Sequence, residues 1–149
     1  MTAPRFELGT DGPRVLVVGV DGSTTSLRAG AYAAGLARRQ GAHLVILYVA
    51  RPGALVGMAP GAAALAQETT DEIAEDLRRQ VEELAPSLGL RYTFRVESGD
   101  PYTELVRVAT EVSADGVVVG ASMQAGHRFA GSIAIRLVRA GRWPVTVVP

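Results

Sequence analysis

Apolar residues follow three distinct patterns along the chain. Arg14–Val20 (RVLVVGV), His43–Val49 (HLVILYV) and Ala114–Gly120 are apolar nearly throughout, the pattern of strands covered on both faces. Arg91–Ser98 (RYTFRVES) alternates instead: Tyr92, Phe94 and Val96 point one way, Arg91, Thr93, Arg95 and Glu97 the other. Such a strand is covered on one face only and belongs at a sheet edge. The third pattern is helical. From Leu65 to Leu88, residues Ile73, Leu77, Val81, Leu84 and Leu88 form one apolar stripe, with Glu75 and Arg79 paired on the exposed side.

Punctuation residues set the remaining boundaries. Ser23 caps a helix running to about Gln40, and Gly41 takes the left-handed position that ends it. Between Ala50 and Ala64, five glycines and prolines among small apolar residues read as a connection without regular structure. Gly99-Asp100-Pro101 supplies a turn, a cap and a first helical residue, for a helix to about Val112 that buries Leu105, Val108 and Val112. A last helix runs from Ser132 to about Ala140, and Trp143–Val148 is a final strand with proline near its start.

Five strands alternating with four helices predict an α/β domain: a single doubly wound, five-stranded parallel sheet with helices on both faces. Placing the alternating strand at one edge and the first and fourth strands in the middle gives the order 3-2-1-4-5. Winding reverses between strands one and four. Ligands of open α/β sheets sit at the carboxyl ends of strands flanking such a reversal. Two loops emerge there, Asp21-Gly22-Ser23 and Gly120–Ser132 (GASMQAGHRFAGS). The second runs from a strand through glycines to a helix start, an arrangement that offers backbone N–H groups and a helix dipole to phosphate. Within it, His127 and Arg128 are the titratable or charged side chains, and Arg128 stays protonated at all working pH values.

Composition narrows the chemistry. The 149 residues suit one domain, with residues 1–13 a flexible tail and 14–149 the folded unit. Fifteen basic and fifteen acidic residues cancel, so nothing favours nucleic acid or an anionic membrane as partner. Every basic residue is arginine. A Walker lysine and a Schiff base are thereby excluded, and the lack of cysteine removes thiolate chemistry and disulfides. No metal-ligand spacing, nucleophile elbow or dinucleotide fingerprint occurs. His43, opening a buried strand, reads as structural. With no signal-type leader and no apolar run of the ~20 residues that span a bilayer, the expected location is cytoplasmic.

Val17–Ser23 (VVGVDGS), Leu47–Val49, Gly99-Asp100-Pro101, Val118–Gly120 and Gly131-Ser132 together resemble the universal stress protein family, from Arg14 to Val148. The resemblance implies an adenine nucleotide alpha hydrolase-like fold and ATP as ligand, with Mg2+ a candidate companion ion. It implies contacts from Val20, Asp21, Gly22, Ser23 and Val49 toward the base and ribose. Gly120, Gly126, Arg128, Gly131, Ser132 and Ile133 fall toward the phosphates. Met123 stands where the family loop has its second glycine, and the loop is two residues shorter than that pattern. Two alternatives therefore stay open: a nucleotide-free interaction module of the same fold, and a slow ATPase. The resemblance also implies a homodimer through Trp143–Val148, whose apolar edge would otherwise be bare. A non-catalytic stress sensor or regulator is the leading expectation.

Overall fold

The computed structural model describes residues 12–51, 61–121 and 132–149. Among the described residues nine elements follow one another: β1 Val15–Val20, α1 Thr24–Gln40, β2 His43–Ala50, α2 Ala62–Leu88, β3 Tyr92–Ser98, α3 Pro101–Glu111, β4 Gly116–Gly120, α4 Ser132–Ala140 and β5 Val145–Val148. The sheet order is β3-β2-β1-β4-β5, and every pairing is parallel. The predicted architecture and its reversal between β1 and β4 are both present.

Strand alternation sends side chains into two cores. Leu16, Val18 and Val20 of β1, with Leu44, Ile46 and Tyr48 of β2, pack under α1 and α2. Val17, Val45, Leu47, Val117 and Val119 pack under α3 and α4, against Leu105, Val108 and Leu137. Helix α1 meets the sheet through Ala29, Ala33 and Ala37, all fully buried, so its small residues let the backbone sit close. Its ends are set as the sequence indicates. Ser23 Oγ accepts the Ser26 N–H at 3.2 Å. Gly41 adopts φ 64° and donates to the carbonyls of Ala37 and Arg38.

Several boundaries and one helical face differ from expectation. Helix α2 begins at Ala62, inside the segment read as connection; residues 52–60 of that segment lie outside the described residues, as does the tail up to residue 11. In α2, Ala74, Leu77 and Ala85 are buried, whereas Leu84 is 62% exposed. Two alanines complete the contact face, and hydrophobicity alone had favoured the larger leucine. The exposed pairs are Arg78–Glu75 and Arg79–Asp76, three residues apart, not Glu75–Arg79.

β3 is an edge strand, but its polar face is not bare. Arg95 bonds Glu97 at 2.7 Å and Glu111 of α3 at 2.9 Å, and Arg107 joins Glu97, Glu104 and Glu111. An ion-pair lattice covers the face that alternation assigned to solvent. Partnership with Glu111, then Glu97, holds the Arg95 guanidinium above its ordinary pKa. α3 ends at Glu111; Leu105, Val108 and Ala109 are buried, and Val112, at the cap, packs partly buried against the same core. β4 starts at Gly116 rather than Ala114, because the chain is still closing α3: Ser113 has φ 53° and the Ala114 N–H bonds the Ala109 carbonyl. β5 starts at Val145 because Pro144 has no N–H to give the ladder, although its carbonyl accepts from Val117 at 3.0 Å. His43 Nε2 lies 2.8 Å from Thr93 Oγ1, tying β2 to β3 as a structural residue.

The phase of α2 is directly testable. Leu77→Ala should lower unfolding free energy by about 2–5 kcal/mol, whereas Leu84→Ala should change it by less than about 0.5 kcal/mol. Urea denaturation midpoints of the two variants check this ordering; equal losses would place Leu84 in the core.

Candidate functional site

The carboxyl ends of β1 and β4 are held together by an absence. A Cβ on Gly120 would lie 2.6 Å from both Thr25 C and Thr25 O, and 2.8 Å from Ser26 N. Those are backbone atoms in the first turn of α1, so only glycine lets β4 end against that turn. Thr25 and Ser26 are buried there, each 5% exposed. Ser26 Oγ accepts the Asp21 N–H at 3.1 Å and donates to the Ser23 carbonyl at 3.0 Å. The two loops nominated by topology thus emerge side by side.

Asp21 follows β1 directly. Gly22 takes φ 85°, turning the chain so that the Ser23 N–H bonds Asp21 Oδ1 at 2.8 Å. Partial burial works to raise the Asp21 pKa. Hydrogen bonds from Ser23, side chain and backbone, and from Ser26 outweigh it, and the carboxyl lies below its ordinary value. Asp21 is therefore an exposed, ionised group that can only accept hydrogen bonds at neutral pH.

The sheet divides the expected ligand residues. Val49, partly buried at the end of β2, and Ile133, in the first turn of α4, both pack toward the α3–α4 core. Val20 points to the opposite core and is 7% exposed, so a ligand on the Val49 face can reach only its backbone. Gly120 ends β4, and α4 begins at Ser132 with no acidic residue in its first turn. A helix start with no acidic side chain in its first turn favours an anion. Gly126, Arg128 and Gly131 lie outside the described residues, as do Met123 and His127.

Three further groups reach this end of the sheet. Arg51, two residues beyond Val49, lies 3.9 Å from Asp100, the cap of α3. Arg136, one turn into α4, stacks 3.8 Å over the Tyr102 ring. Hydrogen bonds from Thr103 lower the Asp100 pKa, and the charges of Arg136 and Arg51 add to that. Both arginines could have been nominated from the sequence, since one follows a strand end and the other sits four residues after a helix start. On the opposite face, Tyr48 is buried beneath Asp21. Burial pushes its hydroxyl pKa up against a hydrogen bond with Thr70, and the Asp21 charge adds to the rise. A cavity of about 330 Å³ lies between Asp21 and α2, with Glu72 and Asp76 also in its wall. Three carboxylates make it hostile to phosphate. Among the described residues, no cluster of three or more His, Cys, Asp or Glu could hold a metal ion, and no helix is long and apolar enough to cross a membrane.

The chain matches the model of the universal stress protein family over residues 13–149. A universal stress protein of Methanocaldococcus jannaschii is 29% identical over 136 residues, covering 89% of this chain and 80% of its relative. Universal stress protein UspA from Lactobacillus plantarum superposes with a TM-score of 0.76 at 23% identity, covering 91% of this chain and 97% of that one. A universal stress protein solved in complex with cAMP superposes at 0.70 with 28% identity, covering 92% and 97%.

The depressed Asp21 pKa has a defined consequence. Its stabilising contribution is complete above the ordinary carboxylate pKa and is lost as pH falls through the lower, folded-state value. The stability gap between wild type and Asp21→Asn should be constant near neutrality and should close in acid. Chemical denaturation across pH measures it, and a gap that widens on acidification would contradict the assignment.

Proposed function

The chain belongs to the universal stress protein family, and from that premise we propose that it binds an adenine nucleotide at the carboxyl ends of β1 and β4 and acts as a stress-response regulator. One observation carries this reading: Gly120, by lacking a side chain, lets β4 end against the first turn of α1, beside the Asp21 turn, and α4, which follows in sequence, starts with no acidic residue in its first turn. The family relative solved with cAMP, 28% identical to this chain, supports the same ligand class.

The chemistry of the two ends orients the ligand. Asp21 accepts hydrogen bonds and repels anions, so it suits a ribose hydroxyl or the adenine amino group. Val49 gives the base an apolar neighbour. The phosphates lie toward Gly120 and α4, where backbone N–H groups and the dipole favour negative charge, with Gly126, Arg128, Gly131 and Ser132 as further proposed contacts. ATP is the proposed nucleotide. Mg2+, when bound, would sit chiefly on its phosphates, as this ion usually does. Among the described residues at this end, Asp21 has its pKa lowered and makes a poor base for water, so slow hydrolysis at most is proposed. The cytoplasm is the proposed location.

The dimer proposal rests on β5. It closes the sheet on one side with Val145 and Val147 only partly buried, and the neighbouring α4 exposes Ile135 (41%) and Val138 (61%). We propose that two β5 strands pair antiparallel across a two-fold axis, giving each exposed edge a partner.

Millimolar ATP should raise the melting temperature of the wild type, and Asp21→Ala should weaken binding about tenfold. A chain with no adenine absorbance on purification and no ATP-dependent melting shift would contradict nucleotide binding. Phosphate release should be no faster than in the Asp21→Ala, Ser132→Ala double variant; faster release would make the protein an ATPase. Val147→Lys should convert the dimer to a folded monomer in sedimentation velocity. An unchanged dimer would place the interface elsewhere.

A further inference from the structure

Helices α1 and α2 lie on one face of the sheet but leave a groove of about 490 Å³ between them. Along α1 its wall is Leu27, Gly30, Ala31, Ala34, Gly35 and Arg38; along α2 it runs from Leu77 to Leu88. Each set spans eleven residue steps, so the groove is about 16 Å long. Its floor includes Ile46 and Phe94. The space is open: a Cβ on Gly35 would meet nothing within 4 Å, and one on Gly30 only Val20 at 3.7 Å. Volume and lining fall in the range of small-molecule sites.

Charge differs between the two ends. The groove shares Leu27, Leu77 and Gln80 with the cavity that holds Asp21, Glu72 and Asp76, so that end is acidic. At the other end Arg38 lines the groove and makes no ion pair among the described residues. A long apolar slot with a spare cation at one end and carboxylates at the other selects both a ligand class and its direction. We propose that this groove binds a single-chain amphiphilic carboxylate of the fatty-acid type. Its alkyl chain lies between α1 and α2, and its head group pairs with Arg38. The site is separate from the nucleotide site, on the other face of the sheet.

Dodecanoate is the probe, titrated into the full chain below its micelle-forming concentration and followed by calorimetry, with dodecan-1-ol as the uncharged control. The expected result is saturable one-to-one binding. Gly35→Leu should weaken it at least about tenfold while retaining helix content, since leucine is the better helix former. Leu84→Glu, on the exposed rim, should do the same. Arg38→Gln should weaken dodecanoate about tenfold and leave dodecan-1-ol unchanged. The ATP-dependent melting shift should be the same in all three variants. Absence of saturable binding would overturn the proposal, as would undiminished binding in both Gly35→Leu and Leu84→Glu. Equal losses for acid and alcohol in Arg38→Gln would remove the head-group assignment. A change of oligomeric state in Leu84→Glu would give the groove to a second copy of the chain instead.

Discussion

The contact between the end of β4 and the first turn of α1 is the constraint on which the rest of the site depends. Backbone meets backbone there, and a single methyl group on Gly120 would stand 2.6 Å from Thr25. Neither partner is the far end of a flexible side chain, so neither yields cheaply. Because the contact is so close, the turn at Asp21 and the loop after Gly120 leave the sheet together. Ser23 caps α1 and Ser26 bonds back to Ser23 and to the Asp21 N–H, so hydrogen bonds hold the turn on both sides. A preorganised site loses less entropy on binding than one that must be assembled.

The sheet then keeps two kinds of chemistry apart. On the α3–α4 side, Val49, Ile133 and the start of α4 combine apolar surface with an anion-favouring helix end. On the α1–α2 side, carboxylates gather near Asp21, and an apolar groove runs away from them toward Arg38. Fixing Asp21 on the boundary between these sides gives it two neighbourhoods. Its carboxylate accepts the Ser23 N–H at 2.8 Å, and its charge is felt by the buried Tyr48.

The fold was largely legible in the sequence, because each signal was physical and redundant. Continuous apolar runs marked β1, β2 and β4, alternation marked the β3 edge, and Ser23, Gly41 and Asp100 marked helix ends that the structure reproduces. What escaped were features that depend on partners distant in sequence. Arg95 and Glu97 look solvated until α3 brings Glu111 and Arg107 over them. Leu84 looks like core until Ala85, at 3% exposure, takes the place beside the sheet. In the candidate site, topology and the residues after β1 and β4 nominated one end of the sheet, and the structure brings Asp21 and Gly120 together there. The requirement for glycine at 120 is set by a helix almost one hundred residues earlier, and no local pattern encodes that distance. Arg51 and Arg136 carry a sequence signal, a strand end and the first turns of a helix, but their partners Asp100 and Tyr102 come only from the convergence of β2, α3 and α4.

The central claim is that an adenine nucleotide sits at the paired ends of β1 and β4, on the α3–α4 side. Backbone amide chemical-shift mapping during an ATP titration tests it most directly. The account predicts the largest shifts at Asp21, Gly22, Gly120, Ile133 and Val49, with the amides of α2 and β3 little changed. Shifts confined to the groove between α1 and α2, or absent at millimolar ATP, would contradict it.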